Sequence, residues 1–246
     1  MRVPDFQPAQ NFLKDKNILI TGAGSGIGRQ VAKDVAKMGA NLILLSKDVR
    51  KLYSLQDEII SNNLSEPLVV ELDFLKAKER DYKTLAENLY ENYDELNGLV
   101  NVAGILGYLS PLIHTSLMQL RTVMQVNFES SFLITQLALP LLLKASNPSI
   151  IFTSSGVGRK ARAFWTSYSI SKFAAEGLMQ SLSDEYEKEM RINSYNPGPT
   201  RTSMRAQAFP AEDPLLLKTP EEVSNDYLWL LSDECKQTGI MFDYNE

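Results

Sequence analysis

The stretch NILITGAGSGIGRQVAKDVAKMGA, residues 17–40, changes its periodicity midway. Residues 17–22 form an apolar run ending in a glycine, the pattern of a buried strand. Then Ile27, Val31, Val35 and Met38 recur at helical spacing, and Gly39 supplies a C-terminal stop. Between the two lies TGAGSGIG, residues 21–28. A glycine turn between strand and helix lets the backbone approach a phosphate at the positive helix N-terminus. The spacing is Gly22-x3-Gly26-x-Gly28, not G-x-G-x-x-G, and the Gly-Lys-Ser/Thr of a P-loop is absent. An ordinary tight turn is the competing reading of the glycines. Their place between strand and helix favours a dinucleotide.

The same alternation runs outward through the chain. Strands are expected at 41–46, 67–74, 97–104, 149–155, 191–198 and, near the end, 239–245. Helices are expected at 49–63, 79–93, about 117–143, 167–190 and from Pro220 onward. The last has its own start signal: Thr219 as N-cap, Pro220 in the first turn and Glu222 closing a capping box. No repeat, low-complexity tract or Gly/Ser linker interrupts the pattern. Strand–helix alternation of this kind predicts one α/β domain over 1–246, a doubly wound parallel sheet with helices on both faces. Ligands of such sheets bind at the carboxyl ends of the strands.

Composition narrows the function classes. There are 25 Lys and Arg against 30 Asp and Glu, a net charge of −5, so no nucleic-acid partner is expected. The single cysteine, Cys235, allows no internal disulfide and fits a reducing compartment. The N-terminal residues lack a signal-peptide core, and LALPLLL (137–143) is far too short to span a membrane. A cytoplasmic protein without a membrane partner is expected. The only histidine, His114, has no cysteine or acidic cluster near it, so no metal site is expected.

Two places can carry chemistry. The second strand ends at Ser46 and Lys47, where such sheets meet the adenosine ribose. An ammonium suits a 2′-phosphate, which favours NADP(H) over NAD(H), although Asp48 stands alongside. Ser155 closes the fifth strand, and Tyr168 and Lys172 follow on the next helix in YSISK, one turn apart on one face. A phenol titrates near 10, and a neighbouring cation favours its phenolate. A hydroxyl such as Ser155 can bond a reacting oxygen. Alone, the Tyr–Lys pair reads as an ordinary surface pair.

In order along the chain stand TGAGSGIG, NVAG (101–104), VNF (126–128), TSS (153–155), YSISK (168–172) and NPGPTRT (196–202). With these motifs the sequence resembles the short-chain dehydrogenase/reductases over about residues 12 to 243. LPLLLK, FTSS and SKFA draw the likeness toward a bacterial branch of that family. The resemblance implies a Rossmann-type sheet of about seven strands in the order 3-2-1-4-5-6-7. It implies an enzyme that interconverts a small carbonyl compound and an alcohol by hydride transfer. Tyr168 would be the acid in reduction and the base in oxidation. Lys172 would lower its pKa and bind the nicotinamide ribose, Ser155 would hold the substrate oxygen, and Asn127 would hold a relay water. Gly22, Ser25, Gly26, Ile27 and Gly28 would line the pyrophosphate, with Ser46, Lys47, Asp73 and Phe74 around the adenosine. Asn101, Ala103, Pro197, Gly198, Thr200 and Thr202 would support the nicotinamide half. Two features depart from the family: Val102 replaces a common asparagine, and no Gly-Gly follows the last strand.

Other expectations concern the periphery. Residues 203–220 are long for a connection and read as a substrate lid or a small packing helix. Phe164 and Trp165 could wall a pocket, and Arg159, Lys160 and Arg162 could meet an anionic tail or simply face solvent. Leu133, Leu137, Leu141 and Leu142 are apolar beyond what one face needs, and with the resemblance they suggest a homodimer or homotetramer. The competing class is a dinucleotide-binding sensor or scaffold without turnover. A complete Asn127, Ser155, Tyr168 and Lys172 set argues against it. An epimerase or dehydratase would need a larger C-terminal domain, and fewer than 50 residues follow NPG.

Overall fold

A computed structural model describes residues 1–244. Seven strands form one parallel sheet: β1 (Asn17–Thr21), β2 (Asn41–Ser46), β3 (Leu68–Glu71), β4 (Gly98–Asn101), β5 (Ser149–Thr153), β6 (Arg191–Asn196) and β7 (Met241–Asp243). Their order is β3-β2-β1-β4-β5-β6-β7, as expected. The helices are α1 (Gly26–Lys37), α2 (Val49–Ser61), α3 (Glu79–Asn92), α4 (Leu117–Met124), α5 (Ser130–Leu142), α6 (Thr166–Glu185), α7 (Ser203–Ala208) and α8 (Pro220–Leu231). The order reverses at β1, where one run of crossovers leads to β3 and the other leaves through β4. That is the switch point at which such sheets open a crevice.

The period-2 geometry of a strand divides β1 between two cores. Ile18 and Ile20 pack with Val31 and Val35 of α1, Leu52 and Leu55 of α2, and Tyr227 and Leu231 of α8. Leu19 faces the other way, among Leu85 and Leu89 of α3, Ile134 and Leu141 of α5, and Met179 of α6. Both faces of the sheet are thus buried, which is why its strands read as continuous apolar runs.

Several boundaries differ from expectation for local reasons. β3 stops at Glu71 because the chain turns immediately: Asp73 Oδ1 accepts from Leu75 N at 3.1 Å and its carbonyl accepts from Lys76 N at 2.8 Å. The long helix expected over 117–143 contains a π-helical turn, Gln125–Glu129, between α4 and α5. Leu137, Leu141 and Leu142 are buried against the sheet and not free for a partner, which corrects the reason for expecting an oligomer. The exposed apolar residues at this place are Phe132 and Leu143. The expected last strand reaches Asn245, which lies outside the described residues; within them β7 ends at Asp243. The first fifteen residues also belong to the fold. Arg2 bridges Asp243, and Val3, Phe6 and Leu13 join the core.

Candidate active site

The carboxyl ends of β1, β2, β4, β5 and β6 open into one cleft of about 980 Å³. The TGAGSGIG turn forms its floor. Gly22 has φ +69°, and a Cβ there would come 2.9 Å from the Cα and N of Ala103. A Cβ at Gly28 would stand 2.4 Å from the Gly22 carbonyl oxygen. Only glycine lets β1 turn into α1 at this closeness and leave backbone bare toward the cleft. Ser25, Gly26, Ile27, Ser46, Lys47, Asp73, Phe74, Ala103, Pro197, Gly198, Thr200 and Thr202 also line it.

At the inner end, Ser155, Tyr168 and Lys172 converge. Ser155, two residues past the end of β5, stands beside the Tyr168 phenol. Lys172 Nζ lies 5.7 Å from the Tyr168 ring centroid and donates to the Thr153 carbonyl at 2.7 Å. Tyr168 and Lys172 are almost wholly buried, at 7 % and 5 % exposure. Burial pushes the phenol up to about 12, against the Ser155 hydrogen bond. Burial also draws the Lys172 ammonium down to about 8, and the charge of Glu176 resists this. The expected lowering of the phenol by Lys172 is not seen here; burial sets the direction and Ser155 alone opposes it.

Asn127 sits inside the π-helical turn, whose extra residue aims its side chain at the strand ends. Its Oδ1 accepts from Ile105 N at 2.7 Å, and its Nδ2 donates to the Ile105 carbonyl at 2.9 Å and to Ser171 Oγ at 3.0 Å. Ser171 in turn donates to the Tyr168 carbonyl at 2.7 Å. A Cβ built on Gly104 would lie 3.4 Å from Asn127 Oδ1 and 3.9 Å from Lys172 Nζ, so both groups face one point. Asn127 stands behind the cleft wall, however, and does not line the cleft itself.

Two expectations are corrected. Asn101 does not reach the cleft; it is buried and donates to Thr135 Oγ1 at 3.3 Å, while Val102 beside it lines the wall. Phe164 is exposed with φ +73°, and its carbonyl accepts from Ser110 N at 3.0 Å. Trp165 does line the cleft, with its ring 5.9 Å from Tyr168 and 5.8 Å from Phe209. Of the three basic residues before Tyr168, only Arg162 lines the cleft, 5.5 Å from the Phe209 ring. Arg159 is turned to the Phe242 carbonyl and to Asp243. Sequence reasoning passed over Phe209 and the 105–108 loop, which complete the wall. Phe209 carried one signal, being the sole aromatic in the 203–220 segment.

A family model for the short chain dehydrogenases matches residues 16–213, and the chain belongs to that family. The Escherichia coli (strain K12) protein named uncharacterized oxidoreductase YciK is 45% identical over 239 residues, 97% of this chain and 95% of its own length. A short chain dehydrogenase of Shigella flexneri 2a, solved with NADP, has a TM-score of 0.93 at 44% identity, covering 96% of this chain and 99% of that one. Another, of Escherichia coli CFT073 and solved with NADPH, has a TM-score of 0.93 at 45% identity, covering 96% of this chain and 99% of that one.

Proposed function

We propose that the protein is an NADP(H)-dependent oxidoreductase that interconverts a ketone or aldehyde with the corresponding alcohol, Tyr168 acting as acid and base. One observation carries this: Ser155, Tyr168 and Lys172 meet, nearly dry, at the inner end of a cleft whose floor is a glycine turn. The cleft also suits the cofactor. Gly22 and Gly28 offer backbone where any Cβ would collide, and Lys47 stands at the end of β2, where a 2′-phosphate would lie. The two relatives solved with NADP and NADPH support the same choice.

When bound, NADPH supplies the hydride and NADP⁺ takes it back. The chain's own residues manage the oxygen and its proton. Ser155 donates a hydrogen bond to the carbonyl oxygen and fixes its direction. Tyr168, held up to about 12 by burial, keeps its proton at neutral pH and delivers it as the oxygen gains charge. Lys172 stabilises the phenolate that remains, and Asn127, which faces the same point beside Gly104, would hold the relay water through which that proton is restored. Trp165 and Phe209 form an apolar wall against the substrate body. Residues 203–209 act as a lid: Met204, Gln207 and Phe209 line the cleft, and Gln207 donates across it to the Gly107 carbonyl at 3.2 Å. The partners proposed are a small carbonyl or alcohol and further copies of the chain.

Fluorescence titration tests the cofactor. NADPH should bind more tightly than NADH. Lys47→Glu should weaken NADPH by roughly tenfold or more and leave NADH nearly unchanged. Tighter binding of NADH by the unaltered protein would overturn the NADP(H) reading.

A further inference from the structure

Beneath the Tyr168–Lys172 pair lies a buried carboxylate that the mechanism above does not use. Glu176 follows Lys172 by one helical turn and is 3 % exposed. Its Oε1 accepts from Ser154 Oγ in a short hydrogen bond, and its Oε2 accepts from Ser194 Oγ at 2.7 Å. Ser154 immediately follows β5 and Ser194 lies in β6, so the carboxylate is pinned from two neighbouring strands. Consecutive residues divide the work: Ser155 turns to the phenol and Ser154 to Glu176. The packing is tight. A Cβ at Gly158 would meet Lys172 Cβ at 2.8 Å and Ser154 Oγ at 3.1 Å.

We infer that Glu176 is the positioning residue for Lys172, supplying the fixed counter-charge that its ammonium needs where water is excluded. The inference rests on reading Tyr168 and Lys172 as the proton-transfer pair. A buried ammonium without a partner neutralises itself. Thr153 offers Lys172 a carbonyl dipole but no charge. Consecutive residues hold the two groups, the Thr153 carbonyl the ammonium and the Ser154 hydroxyl the carboxylate, and the charge of Glu176 acts on Lys172 against burial. The other ionisable groups around this helix are accounted for. On α6 itself, Tyr168 faces Lys172. After β5, Arg159 holds its Nε 3.7 Å from Glu176 and divides its charge with Asp243 of β7. α4 carries Arg121 and the π-helical turn carries Glu129, both exposed. β6 carries Arg191, which is occupied by backbone carbonyls, and Tyr195, which donates to Asp226. Tyr227 of α8 shares a hydrogen bond with the Thr153 hydroxyl at 2.9 Å and packs its ring against Tyr195.

A purely structural role, tying α6 to the strands, would make a different prediction from a counter-charge. Glu176→Gln separates them, because the amide oxygen still accepts from one serine, the amide nitrogen can donate to the other once its hydroxyl turns, and the charge is lost. The readout is the titration of Lys172 by NMR on protein carrying 13C at lysine Cε, assigned by the signal lost in Lys172→Met. In Glu176→Gln the midpoint should fall by about one pH unit or more. The alkaline limb of kcat for cyclohexanone or benzaldehyde reduction should move down with it, while KM stays in place. Glu176→Asp, which keeps the charge but withdraws it by one methylene, should fall in between. An unmoved midpoint in folded Glu176→Gln overturns the inference. If that variant does not fold, Glu176→Asp decides in the same way: a lowered midpoint supports the counter-charge and an unmoved one overturns it. The titration needs no turnover. A shifted midpoint in a protein that reduces no carbonyl would remove the functional reading alone.

Discussion

Asp226 of α8 accepts from the Tyr195 hydroxyl at 2.6 Å, deep under the sheet. Burial pushes its carboxyl up to about 6, opposed first by that hydrogen bond and then by Lys218. The folded protein therefore binds this proton more tightly than the unfolded chain. Stability from the group is full below the unfolded carboxylate range near 3.8 and is lost as pH rises through about 6. Asp226→Asn keeps an acceptor for Tyr195 and removes the cost. It should stabilise the fold at pH 7 by about 1–2 kcal/mol, after allowance for partial solvent screening. Thermal melts from pH 4 to 7 should show the gain appearing between pH 4 and 6; a gain independent of pH would refute the assignment. Nothing in the sequence marked Asp226, because its environment is made by β6 and α8, which are distant in the chain. Asn101 is the opposite case. Its motif placed it at the nicotinamide half, but a residue's place in a motif does not say on which side of the strand its side chain falls, and Asn101 faces Thr135.

Among elements, the β1–α1 turn was the most legible, since strand period, glycines and helix period all lie within 24 residues. It is also the most brittle. Gly28→Ala would drive a methyl to 2.4 Å from the Gly22 carbonyl oxygen, which only movement of the turn can relieve. We expect NADPH affinity to drop by roughly tenfold or more and the melting temperature to fall. Unchanged affinity would mean that the turn does not carry the cofactor. The π-helical turn was not legible. Apolar spacing across 117–143 fits an uninterrupted helix, and one extra residue in a turn leaves no compositional mark. Yet that residue swings Asn127 toward Ile105 and Ser171. The motif located Asn127 without explaining how a helix could present it. Residues 203–220 were legible as a long connection, but the aromatic contact of Phe209 with Trp165 depends on tertiary placement.

At the scale of the whole molecule, the sheet order followed from unbroken strand–helix alternation and the family resemblance, and it holds across all seven strands. What escaped was closure at the edges. The N-terminal residues, polar and rich in proline, gave no strand signal. They are ordered by others: Arg2 against Asp243, and the Phe6 carbonyl against Asn225 Nδ2 at 2.9 Å. β7, expected over 239–245, was placed by its pattern, but among the described residues it is only three residues long. Among the described residues, no helix is long and apolar enough to cross a membrane. The molecule devotes one end of its sheet to the cleft in which we propose that Tyr168 moves a proton. The most direct test compares the unaltered protein with Tyr168→Phe, measuring NADPH affinity by fluorescence and NADPH oxidation on a panel of ketones and aldehydes. Proton transfer by Tyr168 predicts equal affinity and a loss of kcat/KM of about 10²–10⁴-fold. Turnover in Tyr168→Phe equal to that of the unaltered protein would contradict it.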